Sequence, residues 1–224
     1  RTNGGQSAPV LIRTHGHQLM GIWHSGSPLG MVLSACPGLR VLVPRNGVQA
    51  VGMYRAVLRS QDPAFSVEPL PMNENERMPS NLDQVCIPLG QSEILRSGTD
   101  VTLITYGTCC KTALVAAERL EEYEISVEVV DLQTLNPLDF NGVALASIDK
   151  TRRVLFLDED MPDGAMAFVM KTLLQDRGGI LMADPIECIT SPGHKPPYGR
   201  DGKYFGKPQV SDIISRVLKM FDIH

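Results

Sequence analysis

The chain has 224 residues, of which 43% are hydrophobic and 21% are charged, and its formal net charge is −4. These values are typical of a globular protein that buries a core, and they exclude extensive disorder. The slightly negative charge predicts no general attraction to nucleic acid. No apolar run approaches the roughly 20 residues that a membrane-spanning helix needs. We therefore expect neither a nucleic-acid partner nor a membrane partner.

Five cysteines are scattered along the chain, and none has the C-x-x-C spacing of many metal sites. We expect reduced and mostly buried thiols, which are typical of an intracellular protein. The opening residues 1–5 contain no initiator methionine and lead almost at once into a predicted strand. We therefore expect the chain to be one part of a longer protein.

Residues 1–70 alternate short apolar strands with helical segments. Strands are predicted over residues 9–13, 39–44 and 64–67, and helices over residues 27–36 and after Asn46, which can cap the second helix. A loop rich in glycine and histidine is predicted over residues 14–24. Strands that are joined by helices predict a parallel sheet.

A proline-rich and polar stretch begins near residue 69 and predicts a linker over residues 71–85. The linker divides the chain into a first domain, residues 1–70, and a second domain, residues 86–224.

The second domain repeats the alternation of strands and helices. Strands are predicted over residues 92–96, 101–105, 126–132, 153–158 and 180–188, and helices over residues 108–123, 139–149, 165–175 and 210–221. Thr108 can cap the first of these helices, and 92–96 is expected to be an edge strand. The pattern predicts a doubly wound α/β domain with functional loops at the carboxyl ends of its strands.

Several phrases, in order along the chain, resemble one enzyme family. In the first domain they are PVLIR (9–13), HSGSP (24–28), CPGLRVLVP (36–44) and QAVG (49–52). In the second they are IPLG (87–90), GTDVTLITYG (98–107) and VEVVDLQTLNPLD (127–139). Together they resemble the β-subunits of thiamin-diphosphate-dependent 2-oxo acid dehydrogenases, of the branched-chain or pyruvate type. The resemblance implies a partial, parallel-sheet pyrimidine-binding domain followed by a transketolase-type C-terminal domain.

The resemblance also implies an activity, cofactors and partners. The activity is oxidative decarboxylation of a 2-oxo acid with acyl transfer to a lipoyl arm. The cofactors are thiamin diphosphate and Mg²⁺, held mainly by an α-subunit, with K⁺ in some relatives. The partners are that α-subunit or a fused α-region, a second β-subunit and a lipoyl-bearing acyltransferase core. The implied compartment is the bacterial cytoplasm or the mitochondrial matrix, and the isolated chain is expected to be inactive.

His24 is the predicted catalytic residue, because it matches the family histidine that faces the substrate and the lipoyl arm. An imidazole there can donate or accept a proton near neutral pH. For His15 and His17 we favour a structural or substrate-side role over a metal site, since no third ligand is evident. Ser25 and Ser27 are interpreted as hydrogen-bonding loop residues, because neither has an identifiable base.

A potassium site is a further implication of the resemblance. In some relatives backbone carbonyls hold the ion, and the matching positions here are Ala8, Val10, Leu11, Val57, Ser60 and Asp62. An ordinary turn at these positions is an equally good interpretation, because carbonyl ligation leaves little side-chain signature.

Three positions depart from the family pattern. Gln133 stands where the family has arginine, Asp158 stands where it has histidine before Glu159, and Gly26 replaces a glutamine. These departures bear on the substrate and on partner contacts. Without the family histidine, residues 158–160 are expected to be solvated or to lie at an interface.

Residues 193–198 are expected to form a stiff loop, for which docking of the acyltransferase core and a plain surface role remain open. Two alternative functions also remain open. One is another thiamin-dependent enzyme, either transketolase-like or acetoin-cleaving. The other is a non-catalytic docking module that uses the same domains only to hold partners.

Overall fold

The computed structural model describes residues 6–17, 27–69, 78–175, 182–193 and 206–223. Within these ranges no helix is both long and apolar enough to cross a membrane. The strands are β1 (Leu11–His17), β2 (Arg40–Leu42), β3 (Ala64–Pro69), β4 (Glu93–Arg96), β5 (Val101–Thr105), β6 (Val127–Asp131), β7 (Thr134–Asn136), β8 (Val154–Leu157) and β9 (Glu187–Ile189). The helices are α1 (Leu29–Ala35), α2 (Gly47–Leu58), α3 (Cys109–Leu120), α4 (Val143–Thr151), α5 (Ala165–Gln175) and α6 (Val210–Met220).

The first sheet has the strand order β1-β3-β2-β7. The pairs β1–β3 and β2–β3 are parallel, as the sequence predicts, while β7 joins antiparallel to β2. Side chains alternate across β3, so Val67 lies in the apolar core, whereas Ser66 and Glu68 contact Tyr54 of helix α2.

Strand β1 is longer than predicted, because it continues to His17 where the sequence predicts a loop. The glycine in this stretch serves close packing. A Cβ on Gly16 would lie 2.2 Å from a methyl group of Val67 and 3.0 Å from Pro28. The prediction of a loop over residues 14–17 is therefore wrong, and glycine is needed there because the neighbouring strand comes so close.

The second sheet has the order β4-β6-β5-β8-β9, and all its pairs are parallel except β4–β6 at the edge. Alternating residues of β5 face opposite sides. Val101 and Leu103 pack with α3 and α6, whereas Ile104 packs with α4 and α5. Helices cover both faces, which confirms the predicted doubly wound arrangement.

The two sheets share an apolar core, and the consecutive strands β6 and β7 belong to different sheets. One apolar cluster includes Val41 and Val67 from the first sheet together with Val130 and Phe156 from the second. The chain leaves β6 and enters β7, which pairs with β2 of the first sheet. Strand β7 was not predicted from the sequence. The domain division at residues 71–85 stays a prediction.

Helix starts follow from local hydrogen bonds. The Asn46 side chain accepts from Gln49 N at 2.8 Å, so the predicted cap of α2 is confirmed. Thr108 makes no such bond to α3, and its hydroxyl lies 3.5 Å from Glu159 Oε2 instead. Helix α4 begins later than predicted, because the Asp139 carboxylate accepts from the backbone N–H groups of Ala144 and Leu145 at its first turn.

The second half of the predicted linker packs against helix α2. Arg55 donates to the carbonyl oxygens of Leu82 and Val85, and Ile87 N donates to Gly52 O at 3.1 Å. Residues 82–87 are therefore held against helix α2.

All five cysteines are free thiols. Cys109 and Cys110 are buried at the start of α3, and Cys188 is half-buried. Cys36 and Cys86 are exposed, so the expectation of mostly buried thiols is wrong for these two residues.

Candidate functional site

The predicted catalytic residue His24 lies outside the described residues, as do Ser25 and Gly26. Its position along the chain is bracketed by two well-defined elements, the end of β1 at His17 and the start of α1 at Leu29. Ser27 Oγ accepts from Leu29 N at 3.2 Å, which agrees with its interpretation as a hydrogen-bonding residue.

A polar cluster spans the parallel strands β1 and β3 and helix α2. Glu68 is its centre, and it is only 6% exposed. Its carboxylate accepts from Arg13 Nε at 2.5 Å, from Arg13 Nη2 at 3.0 Å and from the Tyr54 hydroxyl. Tyr54 also lies 3.0 Å from Ser66 Oγ. We call Arg13, Tyr54, Ser66 and Glu68 the Glu68 cluster.

The contacts in the Glu68 cluster keep Glu68 ionised and Tyr54 protonated. Burial raises the pKa of Glu68, but the hydrogen bonds from Arg13 and Tyr54 outweigh it, so the pKa ends below its ordinary value. Burial and the bond to Glu68 raise the pKa of Tyr54 to about 12. Tyr54 therefore stays a donor and Glu68 stays an ionised acceptor at neutral pH.

His15 is the register partner of Glu68 on the neighbouring strand. It is exposed, and its positive charge would lower the pKa of Glu68 further. Across the described ranges no group of three or more histidine, cysteine or acidic side chains could hold a metal ion. The sequence did not single out Arg13, Tyr54 or Glu68. The signal in the sequence that could have identified Glu68 is a charged residue near the end of a buried parallel strand.

A second polar cluster lies where β5 and β8 end. Asp158 is fully buried and Asp160 is 6% exposed, so the expectation that residues 158–160 are solvated or lie at an interface is wrong for these two aspartates. Asp158 Oδ2 accepts from the Tyr106 hydroxyl at 2.6 Å, and Asp158 Oδ1 lies 3.2 Å from Asp160 N. Glu159 lies 3.3 Å from Lys207 Nζ. These bonds fix the loop that leads into α5.

The six positions of the potassium prediction come together at the opposite, amino-terminal edge of the first sheet. Four of their carbonyl oxygens accept hydrogen bonds within the protein. They are those of Ala8, Val10, Val57 and Asp62, bonded respectively by Val10 N, Ala64 N, Ser60 N and the Ser60 hydroxyl. A carbonyl oxygen has a second lone pair, so these bonds are compatible with the ion but do not require it.

The chain matches the family model described as "Transketolase, C-terminal domain" over residues 90–205. It is 34% identical over 221 residues to the acetoin:2,6-dichlorophenolindophenol oxidoreductase subunit beta of Bacillus subtilis. That alignment covers 97% of this chain and 63% of the relative.

Two further relatives come from the same organism, Bacillus subtilis. The chain is 31% identical to the 2-oxoisovalerate dehydrogenase subunit beta, covering 86% of this chain and 59% of that one. It is 28% identical to the pyruvate dehydrogenase E1 component subunit beta, covering 99% and 68%. The chain thus spans about three fifths of the length of the first two relatives.

A solved structure, titled "Split gene transketolase, inactive beta4 tetramer", has the same fold with a TM-score of 0.76 and 19% identity. The match covers 99% of this chain and 71% of that one, so both sheets are included. Because the family model matches more than half of the residues of this chain, the chain belongs to the transketolase C-terminal domain family.

Proposed function

We propose that this chain is part of the β-subunit of a thiamin-diphosphate-dependent 2-oxo acid dehydrogenase. The observation that carries the proposal is the similarity of nearly the whole chain to β-subunits of that class, including 2-oxoisovalerate and pyruvate dehydrogenases. The reaction is oxidative decarboxylation of a 2-oxo acid followed by acyl transfer to a lipoyl arm.

In this proposal the chain contributes the pyrimidine side of the cofactor site. When bound, thiamin diphosphate supplies the carbanion chemistry that decarboxylates the substrate. His24 donates or accepts a proton beside the substrate. The Glu68 cluster supports the proposal, since the buried carboxylate of Glu68 is bonded to Arg13 of β1, the strand that precedes His24 in the chain. Mg²⁺ belongs with the diphosphate on the α-subunit, and K⁺ with the carbonyls at the amino-terminal edge.

The proposed partners are an α-subunit, or an α-region fused to this chain, a second β-subunit and a lipoyl-bearing acyltransferase. Support comes from the relatives, which are named as β-subunits, and from the tetrameric structural neighbour. The relatives include bacterial and mitochondrial proteins. We accordingly assign the chain to the bacterial cytoplasm or the mitochondrial matrix.

A second candidate function is the cleavage of acetoin. The first relative, at 34% identity over 97% of the chain, is an acetoin oxidoreductase subunit. The same cofactor chemistry serves both reactions, so the two candidates differ in the substrate and not in the fold.

The test is an assay of the full-length protein assembled with its α-subunit, with thiamin diphosphate and Mg²⁺ present. Reduction of 2,6-dichlorophenolindophenol is followed with pyruvate, 2-oxoisovalerate or acetoin as the substrate. Turnover with a 2-oxo acid supports the proposal, and turnover with acetoin alone supports the second candidate. Assembly without turnover on any of the three supports a non-catalytic docking module.

The role of His24 is tested in the same assembly. His24→Ala is expected to lower turnover by about 100-fold while the subunits still assemble, because proton transfer by a positioned histidine contributes on that order. Arg119→Ala, on the exposed face of α3, is the matched control and should retain full turnover. Unchanged turnover in His24→Ala would remove His24 from the mechanism.

A further inference from the structure

A buried carboxylate joins the second sheet to the first turn of helix α2. Asp131, the last residue of β6, has no exposed surface. Its Oδ2 accepts from Arg45 Nη1 at 2.5 Å and from Gln49 Nε2 at 3.0 Å. Its Oδ1 accepts from Gln133 N at 2.9 Å. Both oxygens are therefore held, and two of the three donors precede or begin α2.

Two buried amides extend this contact. Gln49 Nε2 also donates to Gln133 Oε1 at 2.7 Å, and Gln49 Oε1 accepts from Arg45 N at 2.6 Å. Gln133 Nε2 donates to Gln91 O at 2.9 Å. Gln133 stands where the resembled family has arginine, and its amide both accepts from and donates to its neighbours. We call Arg45, Gln49, Asp131 and Gln133 the α2 clasp.

The α2 clasp needs a positive charge at position 45. Arg45 Nη1 also donates to Glu93 at 2.8 Å, so one guanidinium lies between two carboxylates. Loss of this cation would leave the carboxylate of Asp131 buried without its charge partner, which is far more costly than loss of an exposed pair.

Helix α2 connects the clasp to the Glu68 cluster. The clasp holds the helix at Arg45 and Gln49, and Tyr54 follows Gln49 by little more than one turn. The Tyr54 hydroxyl donates to Glu68, and Glu68 accepts from Arg13 of β1. A shift of the first turn of α2 would therefore move Tyr54 and change how Glu68 is held.

From these contacts we propose that Arg45, Gln49 and Asp131 are positioning residues for the reaction, acting through Tyr54 on Glu68. Their effect on the reaction rests on the proposed function, whereas their effect on Glu68 rests on the contacts alone. The clasp sets the place of α2 relative to the second sheet. The helix in turn sets the Glu68 carboxylate near the carboxyl end of β3.

The test is a double-mutant cycle in the full-length protein assembled with its α-subunit. Arg45→Ala is expected to lower kcat about tenfold with KM changed by less than about twofold, because small misplacements near a reacting centre act on the chemical step. Tyr54→Phe should have an effect of similar size. If both act on Glu68, the double variant should be no slower than the slower single variant.

Two further variants keep the test decisive. Arg45→Lys retains the cation beside Asp131 and should fold even if Arg45→Ala does not, with kcat between those of wild type and Arg45→Ala. Arg96→Ala removes another arginine–glutamate pair, on edge strand β4, and should leave kcat unchanged. Effects of Arg45 and Tyr54 variants that multiply in the double variant would overturn the proposal.

Hydrogen exchange separates this inference from the proposed function. Arg45→Ala, or Arg45→Lys where alanine prevents folding, should speed amide exchange in β3 (Ala64–Pro69), whereas Arg96→Ala should not. If the wild-type assembly has no turnover, the proposed function fails, and exchange in β3 alone then decides whether the clasp holds Glu68. Unchanged exchange in β3 would overturn the positioning role whatever the activity.

Discussion

The Tyr106 hydroxyl donates to Asp158 Oδ2 at 2.6 Å, and both side chains are fully buried. Burial first, and then the charge of Asp158, raise the pKa of Tyr106 above its ordinary value. The tyrosine therefore remains a hydrogen-bond donor at neutral pH. This pair joins the carboxyl ends of β5 and β8 at the position where the resembled family has a histidine.

Tyr106→Phe should destabilise the fold by about 1–3 kcal/mol, because the buried carboxylate of Asp158 loses one of its donors. The shift in the thermal unfolding midpoint of the assembled protein measures it. Tyr123→Phe is the control, since Tyr123 is 45% exposed and its replacement should leave the midpoint unchanged. Equal midpoints for Tyr106→Phe and wild type would show that the pair adds nothing to stability.

Glu68 predicts a defined dependence of stability on pH. Burial raises its pKa, the bonds from Arg13 and Tyr54 lower it more, and the net folded pKa lies below the ordinary value of 4.5. The carboxylate therefore contributes stability above that value, and the contribution is lost as the pH falls through the folded pKa. Glu68→Gln should be less stable than wild type near neutral pH. The difference should shrink in urea unfolding experiments as the medium is made acidic, and a constant difference would contradict the assignment.

Gly98 is a position where no side chain fits. A Cβ there would lie 2.2 Å from both Glu128 N and Val127 C, which are backbone atoms of β6. Gly98→Ala should therefore cost about 3 kcal/mol or more, at the upper end of overpacking effects, because backbone cannot move aside cheaply. Gly193→Ala is the comparison, since among the described residues only Pro162 lies within 4.0 Å of its Cβ. Similar unfolding midpoints for the two variants would contradict the steric argument.

The side-chain cap of helix α2 at Asn46 should affect stability less than Gly98 does, and a conservative variant serves as its control. Asn46→Ala should destabilise the protein by about 1 kcal/mol, because Gln49 N loses its side-chain acceptor. Asn46→Asp retains that acceptor and should stay close to wild type. Chemical unfolding of the three proteins measures the difference, and equal losses in both variants would show that the cap is not the cause.

Much of the second sheet could be predicted from the sequence because its elements carry unambiguous patterns. The β-branched run Val101–Thr105 and the apolar periodicity of Ala165–Gln175 gave the observed bounds of β5 and α5. The stripe at Ala113, Ala116 and Ala117 is fully buried, as predicted. In these elements local propensity and tertiary packing favour the same structure.

The elements that could not be predicted depend on partners distant along the chain. Strand β7 has only three residues and exists because β2 pairs with it. The extension of β1 to His17 depends on β3, since glycine and histidine composition alone favours a loop. Burial of Asp158 depends on Tyr106, which precedes it by 52 residues. Sequence periodicity carries no information about such long-range contacts.

Some residues of the candidate site could likewise be predicted from the sequence, and others could not. His24 was found through its resemblance to a short family phrase, and its role stays a prediction because it lies outside the described residues. Glu68, Arg13 and Tyr54 were missed, because no motif links residues on two strands and a helix. Only their contact across β1, β3 and helix α2 identifies them.

Release of labelled carbon dioxide from a 1-carboxyl-labelled 2-oxo acid would show whether this chain takes part in the decarboxylation. The full-length protein assembled with its α-subunit is compared with the α-subunit alone, each with thiamin diphosphate and Mg²⁺. Release of the label is expected to require this chain and to fall sharply in His24→Ala. No release from pyruvate or 2-oxoisovalerate by a correctly assembled protein would contradict the proposed function.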